Sequence, residues 1–175
     1  MRIANITRDS IVDGPGLRLT IFTQGCPHGC PGCHNPDTHD PKGGREYALE
    51  TLVQELQSAR LLEGITLSGG EPFLQAAACA SLAREAHARG LTVWTYTGYR
   101  YEALKQAENA DWEALLAQTD VLVDGLFVES QQSYALPFRG SKNQRVILLR
   151  QTEARGQITL WQTDDGLDHF TVPSS

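Results

Sequence analysis

The sequence predicts an α/β fold, a partial, open (β/α) barrel on a mostly parallel sheet of about six strands, and three observations support this. Short β-branched runs alternate with longer amphipathic segments, the order that yields right-handed βαβ units. No internal repeat or low-complexity tract interrupts that order. The 175 residues fall short of the typical length of a closed eight-stranded barrel, which is about 250. Leu17 to Thr23 reads as the first strand, and the loop from Gln24 to Gly44 is too rich in Gly, Pro and Cys for regular structure. A loop of that length ordinarily carries function. Glu46 to Arg60 is expected to be a helix, because Leu49, Leu52, Val53 and Leu56 recur on one face. Ile65 to Ser68 follows as a short buried strand, then Gln75 to Arg89 as an Ala-rich helix closed by Gly90. Leu91 to Tyr96 is the third strand, a helical stretch lies between Tyr101 and Gln118, and Val121 to Asp124 is the fourth strand. Arg145 to Leu149 and Ile158 to Trp161 complete the strand candidates.

With 41% hydrophobic and 21% charged residues, residues 1–175 have the composition of one globular domain. The net charge of -6 and the scattered 15 Lys and Arg give no electrostatic ground for a nucleic-acid partner. Met1 to Asp9 lacks the apolar core of a secretory signal, and no stretch is long enough to span a bilayer, so no membrane association and a cytoplasmic location are expected. In that reducing compartment, three cysteines within eight residues point to a metal site or catalytic thiols rather than a disulfide framework. Cys79 stands apart. It forms an i, i+3, i+4, i+7 set with Leu82, Ala83 and Ala86, as a core residue of the second helix would. Trp94, Trp112 and Trp161 read as core or interface aromatics, and His39, His87 and His169 show no partner pattern.

The segment Gln24 to Pro36 carries Cys26, Cys30 and Cys33 in a CxxxCxxC spacing whose Gly and Pro residues let the backbone wrap an ion. Three readings remain open on spacing alone. A structural zinc site would be completed by His28, His34 or His39. A redox thiol pair would leave the third cysteine without a role. An iron-sulfur cluster with three cysteine ligands would leave one iron open to chelation by a small molecule.

This loop after the first strand resembles the signature of the radical S-adenosylmethionine superfamily. The segment Asp13 to Arg18 followed by GCPHGCPGCHNP is similar to its glycyl-radical-enzyme activases, most of all to those of anaerobic ribonucleotide reductase. Gly32, where the wider superfamily often has an aromatic residue, is shared with the small reductase activases. The resemblance implies a [4Fe-4S] cluster on Cys26, Cys30 and Cys33, with S-adenosyl-L-methionine chelating the open iron. It further implies reductive cleavage to methionine and a 5'-deoxyadenosyl radical, so that the cofactor, not a protein acid or base, carries the chemistry. Gly32, Cys33, His34 and Asn35 then become cofactor-facing residues of the loop.

The other strand ends lie on the same predicted edge, where ligands bind in parallel α/β folds. Ser68, Gly69, Gly70 and Glu71 end the second strand; taken alone they make an ordinary turn, and after a CxxxCxxC loop they are similar to the GGEP motif that contacts the methionine amino group. Thr95 and Thr97 end the third strand, where related activases often carry an acid that this chain lacks; both are candidate hydrogen-bond donors. Asp124 ends the fourth and resembles an acid found there in the activases, with an exposed turn residue as the alternative. Phe138 to Arg145 is similar to a late activase segment and reads as a solvated loop or a contact to cofactor or partner.

The leading expectation is hydrogen abstraction from a backbone glycine of the large subunit of anaerobic ribonucleotide reductase, with an electron donor such as flavodoxin implied by the family. A chain too short to close its barrel leaves the reactive edge open to a protein substrate. Two alternatives remain: a small-molecule radical enzyme like 7-carboxy-7-deazaguanine synthase, and a zinc-stabilised binding module without catalysis.

Overall fold

The computed structural model describes residues 1–59 and 61–162. Its strands are β1 (Arg2–Ser10), β2 (Arg18–Thr23), β3 (Arg45–Glu46), β4 (Gly64–Gly69), β5 (Thr92–Thr97), β6 (Val121–Asp124) and β7 (Arg145–Leu148). Among the described residues they form one sheet in the order β3-β1-β2-β4-β5-β6-β7. The central β2, β4, β5 and β6 pair in parallel, while β1 pairs antiparallel with both β2 and β3, and β7 pairs antiparallel with β6. The sheet is therefore mixed and unclosed, with edges at β3 and β7. The helices are α1 (Leu49–Ser58), α2 (Ala76–His87), α3 (Tyr101–Gln106), α4 (Ala110–Ala117) and α5 (Leu149–Arg155).

Strand alternation sends successive side chains to opposite faces, and here the two faces have different chemistry. Leu19, Ile21, Ile65, Leu67, Val93, Leu122 and Ile147 pack into one apolar core with Leu52 and Leu56 of α1, Ala83 of α2 and Leu115 of α4. The other face carries a second cluster of Trp94, Val121, Val123, Val146, Leu148 and Trp161. It also carries Arg18, fully buried, whose Nε donates to Thr66 Oγ1 at 2.7 Å and whose Nη1 donates to Thr92 Oγ1 at 3.0 Å. Further bonds to the carbonyls of Pro15, Ile65 and Thr92 satisfy the guanidinium, which a buried cation requires. Burial still lowers its pKa to about 10.

Several elements depart from the expected pattern. β1 was not anticipated, because most of Arg2–Ser10 is polar and only Ile3 and Ser10 are buried. With it the strand count is seven rather than about six. Arg45 and Glu46 are drawn into edge pairing with β1, so α1 starts at Leu49 and not at Glu46. The helical stretch from Tyr101 to Gln118 is two helices. Glu108 takes φ +48 between them, and Asn109 Oδ1 caps α4 by accepting the Asp111 and Trp112 N–H groups. Ile158 to Trp161 is not a strand: it touches the sheet through a single bridge between Ile147 and Leu160. Leu149 opens α5 instead of ending β7. Cys79 is buried in the helical core, and burial pushes its thiol up to about 12. His87 does have partners, Asp120 Oδ2 at 2.9 Å and Gln118 Oε1 at 3.3 Å. His169 lies outside the described residues. No helix among the described residues is long and apolar enough to cross a membrane.

Candidate functional site

The loop after β2 is built from backbone outward. Gly25 N–H donates to the Thr38 carbonyl at 2.8 Å and Cys26 N–H to the His39 carbonyl at 3.2 Å, which closes the loop on a short 3-10 turn over Pro36–Thr38. The buried Gln24 amide donates to the carbonyls of Asp37 and Asp40 at 3.0 and 2.7 Å and holds the returning chain. Within that frame Cys33 N–H donates to the Cys30 carbonyl, and Asn35 N–H points at Cys33 Sγ at 3.4 Å. Cys26, Cys30 and Cys33 are unpaired and half-buried. Burial pushes the Cys26 thiol up; a hydrogen bond from the His28 backbone opposes it, while Glu71 and the two other cysteines add to it.

The turn after β4 is joined to this loop. Gly70 N–H donates to the Thr23 carbonyl and Glu71 N–H to the Gly25 carbonyl, both at 2.8 Å. Gly69 adopts φ +90, and a Cβ there would stand 2.6 Å from the Phe22 Cα, so only glycine lets β4 end against β2. The Glu71 carboxylate is completely buried. It accepts from His28 Nε2 at 2.7 Å, from Thr97 Oγ1 at 3.0 Å, from Gly98 N–H at 2.9 Å and from Phe73 N–H at 3.0 Å. The His28 ring also meets Tyr99 edge-on at 4.6 Å, and a Cβ at Gly98 would collide with it. One carboxylate thus ties together the cysteine loop and the ends of β4 and β5.

A cavity of about 710 Å³ opens over this frame, lined by Cys26, Cys30, Cys33, His34, Asn35, Ser68, Gly69, Gly70 and Thr97. Nine of the expected site residues therefore meet at one place. Four others do not line it. Glu71 lies beneath the wall and is engaged as described. Gly32 packs toward Glu129, with a Cβ there 2.9 Å from Oε1. Thr95 faces the helical side, where its hydroxyl bonds Thr119 Oγ1 at 2.9 Å. The Asp124 carboxylate is held by Arg145, by Arg100 and by the Tyr101 N–H at 2.8 Å. Strand parity accounts for part of this: Ser68 and Tyr96 line the cavity, whereas Thr95 and Asp124 fall on the opposite phase, as does Thr97, which reaches the wall as the last residue of β5.

The sequence reading missed Asp13, Phe22 and Tyr96 as wall residues, and it missed the His28–Glu71 pairing. The alternation of β2 and β5 carried enough signal to find Phe22 and Tyr96; nothing local in sequence joins residues 28 and 71. The excursion between β6 and β7 supplies another wall, including Phe127, Gln132, Tyr134, Phe138 and Arg139. Gln132 Nε2 reaches His34 Nε2 at 3.3 Å, and the His34 ring tilts against Phe127 at 4.8 Å.

This donor set suits an iron-sulfur cluster: soft thiols on a glycine-rich loop, with an N–H directed at one sulfur. Of the three histidines considered for zinc, His28 is committed to Glu71, His34 is an exposed neighbour of Gln132, and His39 lines the cavity with a buried Nε2 that has no hydrogen-bond partner among the described residues. Among the described residues no three His, Cys, Asp or Glu side chains, the three cysteines included, gather as a group that could hold one metal ion, so the cysteines share the loop and the cavity wall without meeting at one point.

Comparison with known proteins agrees. A family described as a 4Fe-4S single cluster domain matches residues 12–147. The anaerobic ribonucleoside-triphosphate reductase-activating protein of Salmonella typhi is 38% identical over 148 residues, covering 80% of this chain and 94% of that protein. The protein of the same name from Enterobacteria phage T4 is 32% identical over 163 residues, 89% of this chain and 90% of its own length. The pyruvate formate-lyase-activating enzyme of Clostridium pasteurianum is 33% identical over 148 residues, 81% of this chain and 59% of that enzyme. By these matches, which span most of its length and include the cysteine loop that lines the cavity, this chain belongs to the 4Fe-4S family of glycyl-radical-enzyme activases, among the anaerobic ribonucleoside-triphosphate reductase-activating proteins.

Proposed function

We propose that the chain holds a [4Fe-4S] cluster through Cys26, Cys30 and Cys33, binds S-adenosylmethionine beside it, and abstracts hydrogen from a glycine of the large anaerobic ribonucleotide reductase chain. The observation that carries this reading is that Cys26, Cys30 and Cys33 line the same cavity as Ser68, Gly69, Gly70 and Thr97. Three cysteine ligands leave one corner of a cubane open to the amino and carboxylate groups of methionine. When bound, the cluster and its cofactor supply one-electron cleavage of a sulfonium carbon-sulfur bond and hydrogen abstraction from carbon.

The protein's own residues hold, orient and shield. The Gly69–Gly70 backbone is the surface offered to the methionine amino group, and the Glu71 carboxylate acts one layer back, through His28 and Thr97. His34 and Asn35 flank the third ligand at the cavity wall. Thr95 and Asp124 act as supports for the strand ends, not as cofactor contacts. We read the chain as a single domain whose described part is a partial barrel open at its edges, with a cavity mouth that admits a segment of a protein substrate. A reduced flavodoxin-type protein delivers the electron, and the reaction takes place in the cytoplasm.

Anaerobic reconstitution is expected to give about four irons and four sulfides per chain. With S-adenosylmethionine, a reductant and the reductase, it is expected to give the doublet of a glycyl radical by paramagnetic resonance. One zinc per chain would overturn the cluster; a protein that cleaves the cofactor yet never produces the doublet would overturn the reductase as substrate.

A further inference from the structure

We propose that Ile11 and Val12, in the loop between β1 and β2, form an apolar docking edge for the reductase chain and receive hydrophobic side chains that flank its glycine. The assignment rests on the reading above of that chain as the substrate. Both side chains are 73% exposed. Large apolar side chains scattered singly over a surface need no explanation. Here two stand side by side, and Val12 also lines the cavity that Cys26, Cys30 and Cys33 line. A residue that is both cavity wall and largely exposed marks where the cavity opens. Tyr134, 92% exposed and likewise in the cavity wall, marks the opening on the side of β6 and β7. A chain segment that carries a glycine into the cavity passes between these two walls and covers Val12.

The display of the two side chains is built into the loop. The sheet face beneath it is already filled by Arg18 and Trp94: a Cβ on Gly14 would stand 2.7 Å from Arg18 Cδ and 3.3 Å from Trp94 Cδ2, so the backbone lies flat against them. Asp13 pins it there. Its carboxylate accepts from the hydroxyls of Ser10 at 2.6 Å and Thr20 at 2.9 Å, and its carbonyl accepts the Thr66 hydroxyl at 2.8 Å. Further along, Arg18 Nη1 donates to the Pro15 carbonyl at 3.1 Å and Leu17 N–H to Glu63 Oε1 at 3.3 Å. On the upstream side, Asp9 takes φ +58 within the register shift between Thr7 and Ser10, a left-handed turn that re-aims the chain as it leaves β1. A backbone fixed in this way loses little further freedom when a partner docks.

Charge narrows the kind of partner. No Lys or Arg occurs from Asp9 to Leu17, and the Asp13 carboxylate is engaged by hydroxyls. Recognition at this edge therefore proceeds by burial of apolar area and not by ion pairing.

The test is the anaerobic affinity of the reconstituted protein for the reductase chain in the presence of S-adenosylmethionine. Ile11→Ser and Val12→Ser are each expected to weaken it by about tenfold, and to raise by the same factor the reductase concentration that half-saturates glycyl radical formation. Ile11→Leu, which restores an apolar side chain, is expected to stay within about twofold of wild type. Iron content and reductase-free cleavage of S-adenosylmethionine by Ile11→Ser are expected to match wild type, which separates lost docking from a lost fold. Unchanged reductase affinity in both serine variants would overturn the assignment. So would serine variants that lose self-association in sedimentation while keeping reductase affinity, the result if a second copy of this chain covers the edge. Wild-type protein that carries a full cluster and cleaves the cofactor, yet does not bind the reductase, would overturn the substrate reading itself and the docking edge with it.

Discussion

Glu71 and Asp124 are both acids at the C-terminal edge of the sheet, one following β4 and the other ending β6, and both side chains are fully buried. They are neutralised in opposite ways. Asp124 meets two guanidiniums, Arg145 and Arg100, and binds the antiparallel edge strand and the start of α3 to the parallel core. Among the described residues Glu71 meets no arginine or lysine; it collects an imidazole, a hydroxyl and two backbone N–H groups from three separate segments. An ion pair secures an edge and can be replaced by other cross-links. A carboxylate accepting several weaker donors positions every group that donates to it. The comparison therefore separates a stabilising acid from an organising one, although both occupy similar places in the chain.

The strongest way to break this contrast is Glu71→Ala. It orphans four donors at once, so a loss of about 4 kcal/mol in urea unfolding is expected. Cluster retention against a chelator is expected to drop about 10–100-fold, as for other groups that orient metal ligands. Asp124→Ala should also destabilise, by about 3 kcal/mol, because Arg145 and Arg100 lose a buried counter-ion. Its iron content per folded chain should nevertheless stay at the wild-type level. Equal iron loss in both variants would erase the distinction.

A finer test is Gly98→Ala, which pushes a methyl group into the His28 ring. Overpacking of this kind costs about 1–3 kcal/mol. If His28 carries the Glu71 effect to the cysteine loop, iron retention should fall along with stability. The smallest effect concerns pH. Arg145 holds Glu102 down to about 2 through hydrogen bonds that burial only partly opposes. A carboxylate depressed on folding contributes stability above its unfolded value near 4.3, and that contribution fades as the pH falls toward 2. Glu102→Gln should flatten this acid limb by less than about 1 kcal/mol, since the pair is half exposed.

The parallel strands were legible because β-branched runs bounded by turns have few other ways to bury themselves: the expected Val121 to Asp124 strand coincides with β6, and Leu17 to Thr23 with β2 to within one residue. β1 was not, since an edge-side strand with mostly polar, half-exposed residues has no periodic signature. The two-residue β3 exists only because β1 is beside it. The break at Glu108 and Asn109 was written in a capping residue, yet a continuous apolar pattern across it concealed the turn. At the site, Cys26, Cys30, Cys33, Ser68, Gly69, Gly70 and Thr97 were found because position at a strand end suffices to bring them to one edge. Thr95 and Asp124 lie near that edge and still do not line the cavity. Both take the phase opposite to Ser68 and Tyr96, and their side chains are engaged by Thr119 and by Arg145 and Arg100, whereas Thr97 shares that phase and reaches the wall as the last residue of β5.

The sequence by itself determined the ligand chemistry: three thiols within eight residues lie close whatever the rest of the chain does, and glycines beside them leave the backbone free to wrap. It also determined that these thiols follow a strand whose neighbours end in polar turns. Only the tertiary structure decided which acid serves the site. The His28–Glu71 bond spans 43 residues and the Arg145–Asp124 pair 21. Such partners are chosen by how strands stack and which face each side chain takes, a non-local packing outcome that no spacing motif encodes.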